Sequence, residues 1–205
     1  MYEIYTLPLI ISIATFILTT HITPGSTNII LLSSVLNFGY KKTLPFMIAN
    51  IISYPLMMSL TAFGLGIFLI EHPTIMLILK ITGLIYLCYM AWKIATTNNS
   101  IDDNKSAQNS VPFTFIQGFI YPFLNPKAWI VYTSAISIYV TSVDKSFLQI
   151  GVIVLFIFVS MIIATFLWSV GGIAIKKLLK NDKFLKKLNI SMAVLLILSV
   201  LPILF

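Results

Sequence analysis

Long apolar runs separated by short polar stretches dominate the chain. Six runs can be delimited, and they cover residues 5–36, 44–70, 73–95, 111–140, 147–175 and 188–205. A helix that crosses the hydrocarbon core of a bilayer needs roughly 20 apolar residues. The third and sixth runs are close to this length, whereas the others are longer and must tilt, kink or extend beyond the bilayer. The pattern therefore predicts an all-α membrane protein with six transmembrane helices.

Two of the long runs contain residues that interrupt a helix. The first run contains Pro24 and Gly25, and the fourth contains Asn125 and Pro126. Proline lacks a backbone N–H and its ring collides with the carbonyl four residues back, while glycine adds backbone freedom. We therefore expect spans 1 and 4 to be broken at Pro24-Gly25 and at Asn125-Pro126, inside the membrane.

The two breaks occupy corresponding places in the two halves of the chain. Pro24 and Pro126 are 102 positions apart, and the same shift places the first run on residues 107–138, close to the fourth run. Each half has three spans, an odd number, so the halves must enter the membrane in opposite directions. This is the inverted repeat of many secondary transporters, whose broken helices meet near the middle of the bilayer.

We therefore expect one transmembrane domain over residues 1–205. Its first three-helix repeat covers 1–96, a polar cytoplasmic linker covers 97–110, and the second repeat covers 111–205. The simpler alternative is two unrelated kinked helices, since proline and glycine are tolerated in membrane helices. The residues leave both interpretations open, and we favour the repeat.

The composition supports a membrane protein and argues against other classes. Of the 205 residues, 59% are hydrophobic and only 9% are charged, whereas soluble domains carry about 25% charged residues. The net charge of +7 comes from lysines that lie mostly between the apolar runs, so it indicates membrane orientation rather than a nucleic-acid partner. Cys88 is the single cysteine, which excludes an internal disulfide and argues against a thiol-electron carrier.

The lysines predict the orientation of the chain. The loop after the fifth run contains six lysines and one acidic residue, the loop after the first run contains two lysines, and the end of the third run with the loop after it contains Lys93 and Lys105. Loops rich in lysine stay in the cytoplasm. The odd-numbered loops are therefore expected in the cytoplasm, with both termini outside it.

The two broken helices predict where a binding site lies. Exposed backbone groups at a break are tolerated only next to protein or a water-filled cavity. The half-helices that follow Gly25 and Pro126 direct N–H groups and the positive end of the helix dipole into such a cavity, and the carbonyls before each break can accept from a cation. This arrangement suits a zwitterion, and an amino acid is the obvious small molecule of that kind.

Several polar side chains extend this candidate site. Asn28 and Asn125 each offer two donors and an acceptor, and Lys127 can contact a substrate carboxylate because its charge is costly at this depth. Each of these side chains also has a structural alternative. The two amides can hydrogen-bond the backbone at a kink, Lys127 can extend to the membrane interface, and Tyr86 can pack against other aromatic residues. The candidate substrate-binding residues are Pro24, Gly25, Asn28, Tyr86, Asn125, Pro126 and Lys127.

A single histidine, His21, lies within an apolar run. It can titrate in the working pH range and is a candidate carrier of a coupling proton, although a hydrogen bond to a released carbonyl is its more common role. All six acidic residues lie at the ends of runs or in loops, so neither a carboxylate relay nor a site for a cationic side chain is expected. The sequence shows no arrangement typical of an enzyme, a metal site or a cofactor site, and none is expected.

Three stretches resemble motifs of the LysE/RhtB family of amino-acid exporters. They are Thr23-Pro24-Gly25 with Asn28, Gly39, Lys41 and Lys42; the segment at 79–93 (LKITGLIYLCYMAWK); and Gly118 with the segment at 123–128 (FLNPKA). The resemblance extends over nearly the whole chain. It implies a six-span exporter of amino acids or related metabolites in the bacterial inner membrane, commonly driven by the proton gradient. The chain departs from the family in having Ser26 in place of a second proline and no acid at 49–55.

Together these features predict a secondary transporter that exports neutral or small polar amino acids, or related metabolites, by proton-coupled alternating access. The expected partners are an amino-acid substrate and the lipid bilayer, and a homodimer is left open. The alternative is a passive channel or a non-transporting membrane scaffold with the same fold. An exporter requires Asn28, Asn125 and Lys127 to converge on one pocket, whereas a scaffold would leave them dispersed.

Overall fold

Nine α-helices make up most of the described chain, which comprises residues 5–97, 111–179 and 181–199 of a computed structural model. The helices are α1 (Leu7–Ile22), α2 (Ser26–Phe38), α3 (Tyr40–Leu60), α4 (Gly66–Glu71), α5 (Pro73–Ala95), α6 (Phe115–Ile120), α7 (Pro126–Tyr139), α8 (Ser146–Leu178) and α9 (Asp182–Leu198). A π-helical turn at Thr61–Leu65 joins α3 to α4, and a 3-10 turn at Tyr121–Leu124 follows α6. Since these ranges contain no strand, the predicted all-α class is confirmed.

Three helical segments are long and apolar enough to cross a membrane. They are Tyr40–Glu71, Pro73–Ala95 and Ser146–Leu178, and α1 with α2 adds a fourth if this bent pair is counted as one span. The protein is therefore a multi-pass membrane protein, whereas the count of six spans stays a prediction. The sixth predicted run begins at residue 188, whereas α9 begins earlier, at Asp182. Residues 98–110 and 200–205 of the predicted linker and last run lie outside the described residues.

The first interruption lies between α1 and α2. Thr23 has an extended backbone (φ −57°, ψ 140°) and so has Gly25 (φ −139°, ψ 174°), and the two helices are bent by 50°. A residue before proline is driven out of the helical region, which explains why α1 ends just before Thr23. Pro24 then removes the N–H that would continue the helix.

The second interruption lies between α6 and α7. The 3-10 turn at Tyr121–Leu124 tightens the helix, Asn125 is extended (φ −95°, ψ 102°), and α7 starts at Pro126. Proline suits this first helical position, where its missing N–H needs no acceptor. The Asn125 side chain accepts a hydrogen bond from the Lys127 backbone N–H at 3.1 Å and caps α7.

Helix α5 packs directly against the second interruption. A Cβ atom added at Gly83 would overlap the carbonyl oxygen of Leu124, and Pro126 Cδ lies 3.6 Å from the same point. Only a residue without a side chain allows this close approach of helix and broken backbone. Gly83 therefore allows α5 to support the backbone at the second interruption.

Buried apolar side chains form two clusters. The α2–α9 cluster includes Ile30, Leu36, Phe46, Met90, Tyr121 and Leu196. The α1–α7 cluster includes Ile13, Ile17, Tyr54, Met57, Trp129 and Ile157. Each broken helix passes from one cluster to the other at its interruption, since α1 and α7 belong to one cluster and α2 and Tyr121 to the other. Helix α3 crosses the same boundary between Phe46 and Tyr54, so the interruptions lie where the two apolar clusters meet.

A pair of buried amides joins α2 to α9. Asn37 Nδ2 donates to Asn189 Oδ1 at 2.8 Å, and Asn189 Nδ2 donates back to Asn37 Oδ1 at 2.9 Å. Asn189 Nδ2 also lies 3.4 Å from the carbonyl oxygen of Thr97, just beyond α5. Because buried amides are costly unless hydrogen-bonded, this reciprocal pair specifies how α2, α5 and α9 fit together.

The contact at Gly83 makes a testable prediction for stability. Gly83→Ala should lower the free energy of unfolding by about 1–3 kcal/mol, the usual cost of overpacking, because the new methyl group meets backbone that cannot rotate away. Gly171→Ala is the matched control, since a Cβ there meets nothing within 4 Å. Denaturant or thermal unfolding in detergent measures both, and equal stability of the two variants would contradict the proposed role of Gly83.

Candidate functional site

A cavity of about 310 Å³ opens beside the first interruption. It is bounded by α1, α2, α3, α5, α7, α8 and the residue that follows α9. Its lining residues are Thr20, His21, Thr23, Pro24, Gly25, Ser26, Thr27, Asn28, Tyr54, Leu87, Asn125, Lys127, Ala128, Val131, Tyr132, Met161 and Ser199. Residues from both halves of the chain therefore meet at one cavity.

Most of the predicted site residues line this cavity. They are His21, Pro24, Gly25, Asn28, Asn125 and Lys127. Pro126 and Tyr86 are not among the lining residues. Pro126 is buried next to Gly83, and the Tyr86 hydroxyl donates to the Gln117 carbonyl oxygen at 2.9 Å. The three side chains that distinguish an exporter from a scaffold, Asn28, Asn125 and Lys127, thus converge on one pocket.

Asn28 satisfies the backbone released at the first interruption. Its Nδ2 donates to the carbonyl oxygens of His21 at 2.8 Å and Thr23 at 2.9 Å. The intervening carbonyl, that of Ile22, accepts from Trp168 Nε1 at 3.1 Å. The sequence suggested that these carbonyls are available to a substrate cation, but side-chain donors from α2 and α8 already occupy them.

The second interruption is satisfied in the same way. Trp129 Nε1 donates to the Phe123 carbonyl oxygen at 2.9 Å. Asn125 Oδ1 caps α7 and its Nδ2 lies 3.4 Å from the Tyr121 hydroxyl. Asn125 therefore holds the start of α7 and also lines the cavity.

The first turn of α2 is open to the cavity. Its N-cap is Gly25, which has no side chain to cap the helix, and the first intrahelical bond runs from the Ile29 N–H to the Gly25 carbonyl at 3.0 Å. The N–H groups of Ser26, Thr27 and Asn28 precede that bond, and all three residues line the cavity. A helix start of this kind attracts anions through its free donors and its dipole.

Two tyrosines fix this first turn in place. The Ser26 hydroxyl is hydrogen-bonded to the Tyr121 hydroxyl, and Thr27 Oγ1 lies 2.5 Å from the Tyr54 hydroxyl. The polar residues after Gly25 are therefore bonded to α3 and to the 3-10 turn. These bonds keep the start of α2 directed at the cavity.

His21 is buried and hydrogen-bonded at both ring nitrogens. Nδ1 lies 2.6 Å from Ser160 Oγ, and Nε2 lies 3.0 Å from the Tyr132 hydroxyl. Ser160 Oγ also donates to the Ile157 carbonyl at 2.9 Å. This network assigns the ring hydrogen to Nδ1 and makes Nε2 the acceptor from Tyr132. The histidine is therefore bonded to side chains rather than to a released carbonyl.

The charge of the cavity is positive or neutral. Lys127 is the charged side chain among the lining residues, which include no aspartate or glutamate. Within the described part of the chain, no group of three or more His, Cys, Asp or Glu could hold a metal ion. The arrangement thus offers donors and positive charge to an anionic group, and aromatic and apolar surface to the rest of a ligand.

Sequence reasoning missed the tyrosines of this site. Tyr54, Tyr121 and Tyr132 bring hydroxyls to the cavity region from three different elements. The available signal was weak: Asn50, Ser53 and Tyr54 place polar groups close together in the otherwise apolar α3. A tyrosine in a membrane span more often indicates packing or an interface, so no pattern in the sequence selected these three.

The chain is similar to known membrane transport proteins. The chain matches the family described as LysE type translocator over residues 18–201. It is 29% identical over 188 residues to the cysteine/O-acetylserine efflux proteins of Escherichia coli O139:H28 (strain E24377A / ETEC), Escherichia coli (strain K12) and Shigella flexneri serotype 5b (strain 8401). Each alignment covers 89% of this chain and 91% of the relative. No solved structure matches the chain.

The family match extends over most of the chain and includes both interruptions and the residues around the cavity. It confirms the family resemblance drawn from the three motifs and indicates a transporter rather than an enzyme. The chain belongs to the LysE family of membrane translocators.

Proposed function

We propose that this protein exports neutral or small polar amino acids from the cytoplasm across the bacterial inner membrane. The observation that carries the proposal is the cavity at the interruptions, where the open start of α2 and Lys127 face a space without a carboxylate. The relatives support it, since bacterial proteins similar to this chain are named as efflux proteins for cysteine and O-acetylserine. Both of these are small amino acids without a charged side chain.

The size of the cavity favours a small substrate. Ligand pockets span about 300–1,000 Å³, and this one, at about 310 Å³, is at the lower end. The carboxylate of an amino acid fits the N–H groups of α2 and the ammonium of Lys127, because both favour negative charge. A basic side chain finds no acidic partner among the lining residues and is repelled by Lys127, so lysine and arginine are poor substrates.

Alternating access between two inverted three-helix repeats is the proposed mechanism. Support comes from the two interruptions, which lie at corresponding places in the halves 1–96 and 111–205 and at the boundary between the two apolar clusters. A rearrangement of one repeat against the other would open the cavity first to one side of the membrane and then to the other. Six spans, a cytoplasmic linker at 97–110 and termini outside the cytoplasm are part of this proposal.

The predicted residues take different roles in this scheme. Pro24 and Gly25 expose the start of α2, and Lys127 binds the substrate carboxylate. Asn28 and Asn125 hold the interrupted backbone, because their amides are bonded to it. Tyr86 and Pro126 are not among the lining residues, and they support the cavity wall through Gln117 and Gly83.

His21 is the proposed carrier of the coupling proton. A carboxylate is the usual carrier in a membrane, but none lies in the cavity. His21 faces the cavity, and its Nε2 already accepts a hydrogen from Tyr132. It can take up a proton if the Tyr132 hydroxyl turns from donor to acceptor, a change that needs no movement of the backbone.

Counterflow in proteoliposomes tests the export proposal directly. Proteoliposomes that contain the purified protein are loaded with each common amino acid in turn, and uptake of the same amino acid in labelled form is measured. Small neutral amino acids should exchange, and an imposed pH gradient should drive their accumulation. Flux that only equilibrates concentrations would indicate a passive channel, and absence of flux for every amino acid would indicate a scaffold.

Lys127→Ala should lower the efflux of a neutral amino acid by roughly ten- to a hundredfold, because a hydrogen bond to a charged group contributes about 1.5–3 kcal/mol. Lys127→Arg keeps the charge and should retain more activity. Lys80→Ala is the matched control, since Lys80 is also a lysine within a long apolar run but lies outside the cavity lining. Efflux at the wild-type rate in Lys127→Ala would remove this residue from the site.

His21→Gln should separate exchange from coupling. Glutamine can keep hydrogen bonds to Ser160 and Tyr132 but does not titrate in the working pH range. We therefore expect counterflow to persist while accumulation driven by a pH gradient is lost. His72→Gln, at the exposed turn before α5, serves as the control. Accumulation equal to that of the wild type in His21→Gln would reject the proton-carrier role.

Asn28→Ala should destabilise the fold as well as reduce transport. The substitution leaves the carbonyls of His21 and Thr23 without their donor, and each unsatisfied buried group costs about 1–3 kcal/mol. Thr20→Ala is the control, because Thr20 also lines the cavity but is exposed and bonds within its own helix. Unchanged thermal stability in Asn28→Ala would contradict the role of this amide in holding the interrupted backbone.

A further inference from the structure

Three aromatic rings meet at one side of the cavity. They belong to His21 on α1, Tyr54 on α3 and Tyr132 on α7, and all three line the cavity. Their centroids are 5.6 Å apart for His21 and Tyr54, 6.3 Å for His21 and Tyr132, and 6.4 Å for the two tyrosines. The planes cross at 71°, 86° and 73°, so the rings form a three-sided aromatic corner.

The polar atoms of this aromatic corner are already engaged. The Tyr54 hydroxyl is bonded to Thr27 Oγ1 at 2.5 Å, and the Tyr132 hydroxyl to His21 Nε2 at 3.0 Å. Ser160 occupies the remaining ring nitrogen of His21. These bonds fix the rings in orientation, and what the corner offers to a ligand is the π-faces of the two tyrosines.

A substrate ammonium has few other partners in the cavity. No acidic side chain is among the lining residues. The carbonyl oxygens of His21, Ile22 and Thr23 each accept from Asn28 or Trp168. A cation near an aromatic face is attracted by the ring quadrupole, and the attraction grows when the cation is desolvated. The aromatic corner is therefore a place in the cavity that can hold positive charge without an acidic partner.

The corner also lies next to the open start of α2. Tyr54 contacts Thr27, which is in the first turn of that helix, at 2.5 Å. The ammonium and carboxylate of an α-amino acid are attached to the same carbon and must bind at neighbouring places. The first turn of α2 and the Tyr54 ring satisfy this requirement.

We propose that the substrate ammonium binds against the faces of Tyr54 and Tyr132 through cation–π attraction, which makes these tyrosines specificity determinants. The inference rests on the proposed amino-acid transport and states how the site recognises the positive charge of its substrate. Cation–π recognition requires positive charge but no N–H donors. The transporter accordingly accepts N-methylated amino acids, up to trimethylated glycine.

Two isosteric probes test this inference. Glycine betaine and 3,3-dimethylbutanoate have the same shape and carboxylate, but only betaine carries a positive charge. Each competes in counterflow against the amino acid that exchanges fastest. Betaine and the smaller N-methylglycine should compete, and 3,3-dimethylbutanoate should compete at least about tenfold more weakly. Failure of betaine to compete shows that positive charge without N–H donors is not sufficient and overturns the inference, as does equal competition by betaine and its neutral isostere.

Variants of Tyr54 identify the ring that acts. Tyr54→Leu should weaken competition by betaine by about tenfold, while Tyr54→Phe loses only the bond to Thr27 and should keep most of it. Tyr40→Leu is the control, since Tyr40 begins α3 and lies outside the cavity lining. Equal competition in the Leu and Phe variants would overturn the role of Tyr54. If the wild type exchanges no amino acid, the proposed function itself fails. If the wild type exchanges amino acids but does not distinguish betaine from its neutral isostere, only the inference about the aromatic corner fails.

Discussion

The constraint on which this structure depends is the need of every buried peptide group for a hydrogen-bond partner. An interrupted helix within a membrane releases carbonyls and N–H groups where little water can reach them. The carbonyls around Pro24 are taken by Asn28 and Trp168, and that of Phe123 is taken by Trp129. Because side chains from other helices provide these donors, the interruptions are stable features of the packed fold. The cavity, the exposed start of α2 and the position of Lys127 all follow from them.

The two interruptions are not equivalent, although they occupy corresponding places in the chain. Asn125 caps α7 with its own side chain, whereas Gly25 leaves the first turn of α2 without a cap. One helix start is therefore closed and the other is open to the cavity. The N–H donors for an anion therefore lie at the start of α2, and the aromatic rings lie beside them.

The sequence predicted the features that depend on local chemistry. Pro24 and Pro126 interrupt helices through their own rings, so the positions of both interruptions could be read directly. The depth of Lys127, Asn28 and Asn125 in apolar runs predicted that they face a shared cavity.

Long-range partners could not be predicted in the same way. Ser160 lies 139 positions from His21, and nothing in the local pattern relates the two. Tyr86 was a predicted site residue and Tyr132 was not, whereas the packed bundle places Tyr132 and not Tyr86 in the cavity lining.

The amide pair between Asn37 and Asn189 has a consequence for movement. Pulling α2 away from α9 breaks two hydrogen bonds in a place where no solvent offers a replacement. Asn189 also holds Thr97 at the end of α5. Any rearrangement that keeps these hydrogen bonds must therefore move α2, α9 and the end of α5 together.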